Sequence, residues 1–224
     1  TSHRFHLIGI GGAGMSVVAE LLKDRGLEVS GSDQKDSPVL DHLRSVGVKV
    51  FVGHDAAHVP AGSVVVVSTA VRETNPELAY ARKEGLTVIH RSQDLALAAS
   101  GMRFVAVAGA HGKTTTSGML SMALRQAGAD PSIAVGSVIP ELGSGAHLGR
   151  GDIFVAEADE SDGSFLNYTP WIEIVTNVEP DHLDRYGSRE AFEQVFVDFV
   201  GCLREGGTLV CCGEDAGSAR LARY

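Results

Sequence analysis

Cysteine, tryptophan and, in its second half, lysine are scarce in this chain, and each scarcity excludes something. Its 224 residues include three cysteines and one tryptophan. Cys211 and Cys212 are adjacent, so the set makes neither a disulfide framework nor a metal-ligand spacing. They read as reduced residues of a buried strand, Thr208–Cys212, in a cytoplasmic protein. No apolar run reaches the roughly 18 residues that a membrane-spanning helix needs, so no membrane role is expected. No signal-peptide pattern opens the chain. The net charge is −9, whereas a duplex-binding protein shows a basic face, so a nucleic-acid partner is not expected. Beyond Lys83 there is one lysine, Lys113, which therefore stands apart from ordinary solvated surface lysines.

What is present is a strict alternation of strand and helix patterns, which predicts parallel sheets covered by helices. In the first half strands are expected at Arg4–Ile8, Glu28–Ser30, Val48–Val52, Val64–Ser68 and Thr87–His90. Helices are expected at Gly14–Arg25, Pro38–Ser45, from Asn75 and at Ser92–Ala99. Ser100–Arg103 reads as a linker. The second half restarts at Phe104–Ala108 and continues with a helix Lys113–Ala127, ended by Gly128. Strands follow at Ser132–Val135, Ile153–Ala156 and Ile172–Thr176. Residues Gly136–Gly151 read as a glycine-rich loop. Ser188–Leu203 is amphipathic, with Phe192, Val195, Phe196, Phe199 and Val200 on one stripe. A last helix is expected to begin at Asp215 and to run on to the chain end.

Two glycine loops carry the chemistry. Gly9-Ile-Gly-Gly-Ala-Gly14 is a complete G-x-G-x-x-G between a strand and a helix. Its glycines let the backbone approach a diphosphate, and Asp33, at the next strand's end, suits a ribose hydroxyl. Val105–Thr116 ends an apolar run in Gly109-Ala-His-Gly-Lys-Thr-Thr115. Backbone N–H groups at such a helix start attract phosphate, Lys113 adds a charge, and the Thr114 hydroxyl suits Mg²⁺. The full Walker spacing would place glycine where Val107 stands, so the loop is a shortened variant. Chemistry at the first loop alone would suggest NAD and an oxidoreductase, but a second nucleotide loop about 100 residues on does not belong to a simple dehydrogenase.

Further polar residues gather at strand tips, where open α/β sheets bind ligands. Ser68 and Thr69 end one strand and His90-Arg91 another. Glu157-Ala-Asp-Glu-Ser-Asp162 ends a third, with Glu157 the best-placed Mg²⁺ ligand and Asp159, Glu160 and Asp162 weaker ones. Asn177-Val-Glu-Pro-Asp-His182 ends a fourth.

The motifs GIGGAGMS (Gly9–Ser16), AHGKTTT (Ala110–Thr116), EADESDGSF (Glu157–Phe165) and NVEPDHLDRYG (Asn177–Gly187) together resemble the Mur ligase family, in the family's order and across essentially the whole chain. The Gly-Met-Ser ending and His111 favour the member that adds the first amino acid, L-alanine. Later-acting relatives carry a carbamylated lysine about one helix after the His182 motif, and Ser188–Leu203 has none. The family usually has Thr at the position of Ala110. The resemblance implies an α/β chain: a Rossmann-like UDP-sugar domain over residues 1–99, then a P-loop ATPase-like domain over 103–224, incomplete, with the C-terminal domain absent. It implies ATP and Mg²⁺ as cofactors, with UDP-N-acetylmuramate and L-alanine as substrates. Gly11, Gly12, Ala13, Gly14, Asp33, Ser68, Thr69, His90 and Arg91 would line the UDP-sugar site. Gly109, Ala110, His111, Gly112, Lys113, Thr114 and Thr115 would hold ATP. Thr114, Glu157 and His182 would ligate metal, and Lys113, Glu157, His182, His111 and Asn177 would serve the reaction. A peptide-recycling ligase of the same family is the alternative, and the chain alone is expected to bind substrate without ligating.

Overall fold

The computed structural model describes residues 4–161, 163–179 and 186–224. It divides into two compact units, Thr1–Ala98 with Ala146–Leu148 and Ala99–Gly145 with Gly149–Tyr224. Among the described residues no helix is long and apolar enough to cross a membrane.

In the first unit β1 (Arg4–Ile8), β2 (Glu28–Asp33), β3 (Lys49–Val52), β4 (Val64–Val67) and β5 (Val88–His90) alternate with α1 (Ala13–Asp24), α2 (Pro38–Ser45), α3 (Pro76–Lys83) and α4 (Arg91–Ala98). The sheet order is β3-β2-β1-β4-β5, and every pair is parallel. Strands covered on both faces read as continuous apolar runs, which is why β4 is four valines. Leu7, Ile8, Val65 and Val66 are fully buried, and α1 packs Met15, Val18, Ala19 and Leu22 inward. Local chemistry sets the helix starts: the Ser37 side chain accepts from Leu40 N–H, and Asn75 accepts from Glu77 and Leu78 N–H with Pro76 in the first turn. The chain leaves β1 toward β2 on one side and returns to β4 on the other. This reversal of strand order opens a crevice at the carboxyl end of β1.

The second unit carries β6 (Arg103–Ala108), α5 (Lys113–Gln126), β7 (Ser132–Ile139), the start of β8 (Ser144–His147, of which residues 146–147 group with the first unit), β9 (Ile153–Glu157), β10 (Ile172–Val175), α6 (Arg189–Val200), β11 (Thr208–Cys211) and α7 (Ala216–Leu221). Its sheet order is β11-β10-β6-β9-β7-β8. Parallel pairing joins β11, β10, β6, β9 and β7, and β8 makes the sheet mixed. On α6, Phe192, Phe196 and Phe199 are fully buried, and Phe165 stacks on Phe199 at 4.3 Å and meets Phe196 edge-on at 5.6 Å. Truncating one such ring to alanine typically costs about 3–5 kcal/mol.

Three sequence expectations are corrected. Residues 136–151 are not all loop, because β7 runs on to Ile139 and β8 follows. Here glycine marks close backbone approach: a β-carbon on Gly145 would stand 2.2 Å from the Val135 carbonyl oxygen. Cys211 is half-buried and Cys212 exposed, since β11 ends the strand order and not the core. The last helix stops at Leu221, with Asp215 as its cap: the side chain accepts from Ser218 N–H.

Glu173 stands out in the core. It lies on β10 between Ala106 of β6 and Leu209 of β11, fully buried, and both carboxylate oxygens lack a hydrogen-bond partner among the described residues. Burial pushes its carboxyl up to about 8. The unfolded glutamate ionises near 4.5, so wild-type stability is whole below that pH and falls by about 1.4 kcal/mol per pH unit until the folded group ionises near 8. Glu173→Leu should remove this loss. Urea unfolding at about pH 5 and about pH 8 should show the variant's advantage growing with pH. An advantage equal at both pH values would mean that Glu173 does not carry the shift.

Candidate nucleotide sites

The glycine turn of the first unit follows β1 directly. The N–H groups of Gly9 and Ile10 both donate to the Ser32 carbonyl, at 2.8 and 3.0 Å, tying the turn to β2. Asp33 Oδ2 accepts from Gly11 N–H at 2.9 Å. One oxygen of the acid expected at a ribose hydroxyl therefore holds the turn. Gly12 caps α1 without a side-chain bond, which leaves N–H groups of the first turn open to an anion. Over the turn lies a cavity of about 630 Å³, whose walls include Gly9, Gly12, Asp33, His54, Ser68 and Asn75.

The expected residues of this unit take distinct places. Gly12, Asp33 and Ser68 line the cavity. Gly11, Ala13 and Gly14 form the turn and the start of α1. Arg91 Nη1 lies 2.2 Å from where a β-carbon on Gly14 would stand, which puts the guanidinium against the helix start. Thr69 follows β4, and His90 ends β5, with Nδ1 2.8 Å from Ser92 Oγ. His54, Asn75 and Glu77 escaped the sequence reading, although His54 follows β3 as Ser68 follows β4. Glu77 is fully buried behind the cavity wall. Burial raises its pKa, but the His6 ring 3.5 Å away, the hydrogen bond from Ser32 Oγ and that from Asp55 N–H outweigh it and hold the carboxyl near 2.

The loop of the second unit is built around Gly109, whose φ of +134° lies outside the range open to other residues. A β-carbon there would stand 2.0 Å from Thr176 Oγ1. Gly112 opens α5 at φ +81°, again without a side-chain cap, so backbone N–H groups of the first turn stay available. Asn177 clamps the loop from both sides: Oδ1 accepts from His111 N–H at 3.0 Å, and Nδ2 donates to the His111 carbonyl at 2.9 Å. Thr176 Oγ1 donates to the same carbonyl at 2.6 Å. The imidazole of His111 is exposed and lies 3.8 Å from Glu179.

Lys113 Nζ donates to the Gly109 carbonyl at 2.6 Å and to both oxygens of Glu160 at 2.9 Å. Glu160 is 1% exposed; burial pushes its carboxyl up while the Lys113 ammonium pulls it down, and burial prevails. Glu160, which the sequence ranked below Glu157, is thus the lysine's partner. Glu157 ends β9 half-buried, with Oε1 accepting from Gly136 N–H at 3.2 Å. Thr114 and Thr115 are exposed on the first turn of α5, and Ala110 lies within the loop. His182 and Asp162 fall outside the described residues. Among the described residues no group of three or more His, Cys, Asp or Glu could hold a metal ion.

One unit has a glycine turn under a cavity, and the second has a lysine-bearing loop that opens a helix, in an α/β architecture. The chain belongs to the Mur ligase family: the model of the Mur ligase family catalytic domain matches residues 4–103, and that of the Mur ligase middle domain matches residues 107–224. It is 56% identical to a UDP-N-acetylmuramate–L-alanine ligase of Kineococcus radiotolerans over 99% of this chain and 48% of that relative. It is 52% identical to one of Mycobacterium avium over 98% of this chain and 45% of that relative. The chain thus spans about half the length of these relatives. Among solved structures, a UDP-N-acetylmuramate–alanine ligase of Thermotoga maritima matches with a TM-score of 0.87 at 30% identity, over 97% of this chain and 51% of that one. A UDP-N-acetylmuramate:L-alanyl-gamma-D-glutamyl-meso-diaminopimelate ligase of Neisseria meningitides matches with a TM-score of 0.91 at 30% identity, over 100% of this chain and 75% of that one.

The packing at Gly109 makes Gly109→Ala a sharp test of the loop. The β-carbon must displace Thr176, which also holds His111, so the variant should lose about 1–3 kcal/mol of unfolding free energy in urea. Wild-type stability would show that the loop relaxes freely.

Proposed function

We propose that this chain carries the UDP-sugar and ATP units of a ligase that joins L-alanine to the carboxylate of UDP-N-acetylmuramate during peptidoglycan precursor synthesis. The observation that carries the reading is the Gly109–Gly112 loop, with Lys113 beside the uncapped start of α5. A dehydrogenase has no use for a second phosphate loop. The curated relatives at 56% and 52% identity are UDP-N-acetylmuramate–L-alanine ligases, which supports L-alanine, whereas the alanine-adding and the peptide-adding solved structures match alike at 30%.

In this reading the substrate carboxylate attacks the γ-phosphorus of ATP, the bond to the β-phosphate oxygen breaks, and ADP departs. The amine of L-alanine adds to the acyl-phosphate carbonyl, gives up a proton, and phosphate leaves. The protein's part is positioning and charge neutralisation. Residues 109–115 cradle the phosphates with backbone N–H groups. Lys113 leaves Glu160 to meet the β- and γ-oxygens, and Asn177 keeps His111 and the loop in shape. Thr114 and Glu157 offer the oxygen donors that Mg²⁺ prefers, and His182 completes the proposed set. Bound there, Mg²⁺ would neutralise charge on the transferring phosphoryl group. In the first unit Gly11–Gly14 and Arg91 face the diphosphate, and Asp33, Ser68, Thr69 and His90 the rest of the UDP-sugar. In this reading residues 1–99 form the UDP-sugar domain and residues 103–224 belong to the ATP domain.

Calorimetry tests the first unit: the chain should bind UDP-N-acetylmuramate saturably and ignore NADH, and the reverse pattern would overturn the reading. In a full-length ligase carrying this sequence, Glu157→Gln should raise the Mg²⁺ needed for half-maximal rate at least roughly tenfold, a cost already seen for changes around metal ligands. Normal activity at low Mg²⁺ would remove Glu157 from the metal set.

A further inference from the structure

Three histidines, one on β1 and two in the connection after β3, converge on one buried carboxylate beside the cavity. Glu77 Oε1 lies 3.1 Å from His58 Nδ1 and accepts from Asp55 N–H at 3.3 Å. Glu77 Oε2 accepts from Ser32 Oγ, and lies 3.4 Å from His54 Nδ1 and 3.5 Å from His6 Nε2. Ser32 Oγ is also 2.8 Å from His54 Nδ1. Ser32, Glu77 and His6 are fully buried, whereas the His54 side chain keeps 23% of its surface and lines the cavity.

The protons in this cluster can be placed by elimination. Glu77, held near 2, is a carboxylate and can only accept. The short contact between Ser32 Oγ and Glu77 Oε2 therefore uses the serine's one proton. With that proton spent, Ser32 Oγ can only accept from His54, so the hydrogen between them sits on Nδ1 of His54. The nearby Glu77 oxygen reinforces the same choice.

We infer that Glu77, acting through Ser32, fixes His54 as its Nδ1–H tautomer, so that the neutral ring offers the cavity a hydrogen-bond acceptor, Nε2. Such an acceptor matches an imide N–H or a sugar hydroxyl. It does not match a diphosphate, whose oxygens only accept. The site is thereby polarised: the glycine turn presents donors to phosphate, and His54 presents an acceptor to the nucleoside or sugar. Glu77 is a positioning residue in this scheme, and His54 is the residue that meets the ligand. The ligand half of the inference rests on reading the cavity as a nucleotide-sugar site; the tautomer half does not.

Long-range ¹H–¹⁵N spectra of the 224-residue chain at about pH 8 read the tautomer directly. His54 should show a protonated Nδ1 and a bare Nε2. Glu77→Gln, which frees Ser32 to donate to His54, should bring in the Nε2–H form that free histidine favours, and should weaken UDP binding roughly 3- to 10-fold, the worth of one hydrogen bond. If that buried variant does not fold, His54→Phe keeps a ring but no acceptor and should weaken UDP by the same factor. A protonated Nε2 in the wild type, or unchanged UDP affinity in His54→Phe, would overturn the inference. A wild-type chain with the expected tautomer but no affinity for UDP would instead sink the nucleotide reading and leave the tautomer assignment standing.

Discussion

Parallel pairing is the constraint on which the rest depends. Once neighbouring strands run the same way, each must be followed by a crossover, and every strand's carboxyl end falls on the same edge of its sheet. In the first unit this collects Asp33, His54 and Ser68 from the ends of three different strands. In the second it collects the Gly109 loop, Glu157 and Asn177. Helix starts arrive at the same edge with unbonded N–H groups. Gly12 and Gly112, which have no side chain to bond them, leave those groups open. A binding edge is thus a by-product of the sheet's direction, and the side chains at the strand tips decide what it binds.

Three buried glutamates show three ways of handling a carboxyl out of water. Glu77 is surrounded by donors and stays ionised. Glu160 is held by the Lys113 ammonium, which offsets part of the cost of burial without reversing the upward shift. Glu173 has no partner among the described residues and is pushed toward its neutral form. The ordering follows the number of donors within reach, because each bond to the charged form counters desolvation. The first two sit beside the proposed sites, where a fixed charge orients a neighbour. The third lies in the middle of a sheet, and nothing in the structure explains its presence there.

Much of the architecture was readable from local pattern. Strand and helix periods, the caps at Ser37 and Asn75, and both glycine loops are short-range signals, and the elements they announce lie within a few residues of expectation. What was not readable depends on pairing at a distance. Four carboxylates stand within Glu157–Asp162, and no spacing says which faces Lys113; a contact across 47 residues decides for Glu160. His54 and Glu77 carry ordinary local signals, a residue after a strand and a residue in a capped turn. Their meaning arises only when Ser32 comes between them. The glycines of 136–151 mimic a loop because close backbone approach and turn flexibility call for the same residue. Cys211 and Cys212 looked buried because an edge strand and a central strand can share one apolar pattern; only the strand order separates them.

That strand order has a practical side. Among the described residues β11 pairs with β10 alone, so its outer backbone groups form a ready template for another strand. Val210 is 46% exposed on it and Cys212 is an exposed thiol at its end. In a concentrated, aerated sample such a border is adhesive twice over, first by strand addition and then by oxidative cross-linking that makes the association permanent.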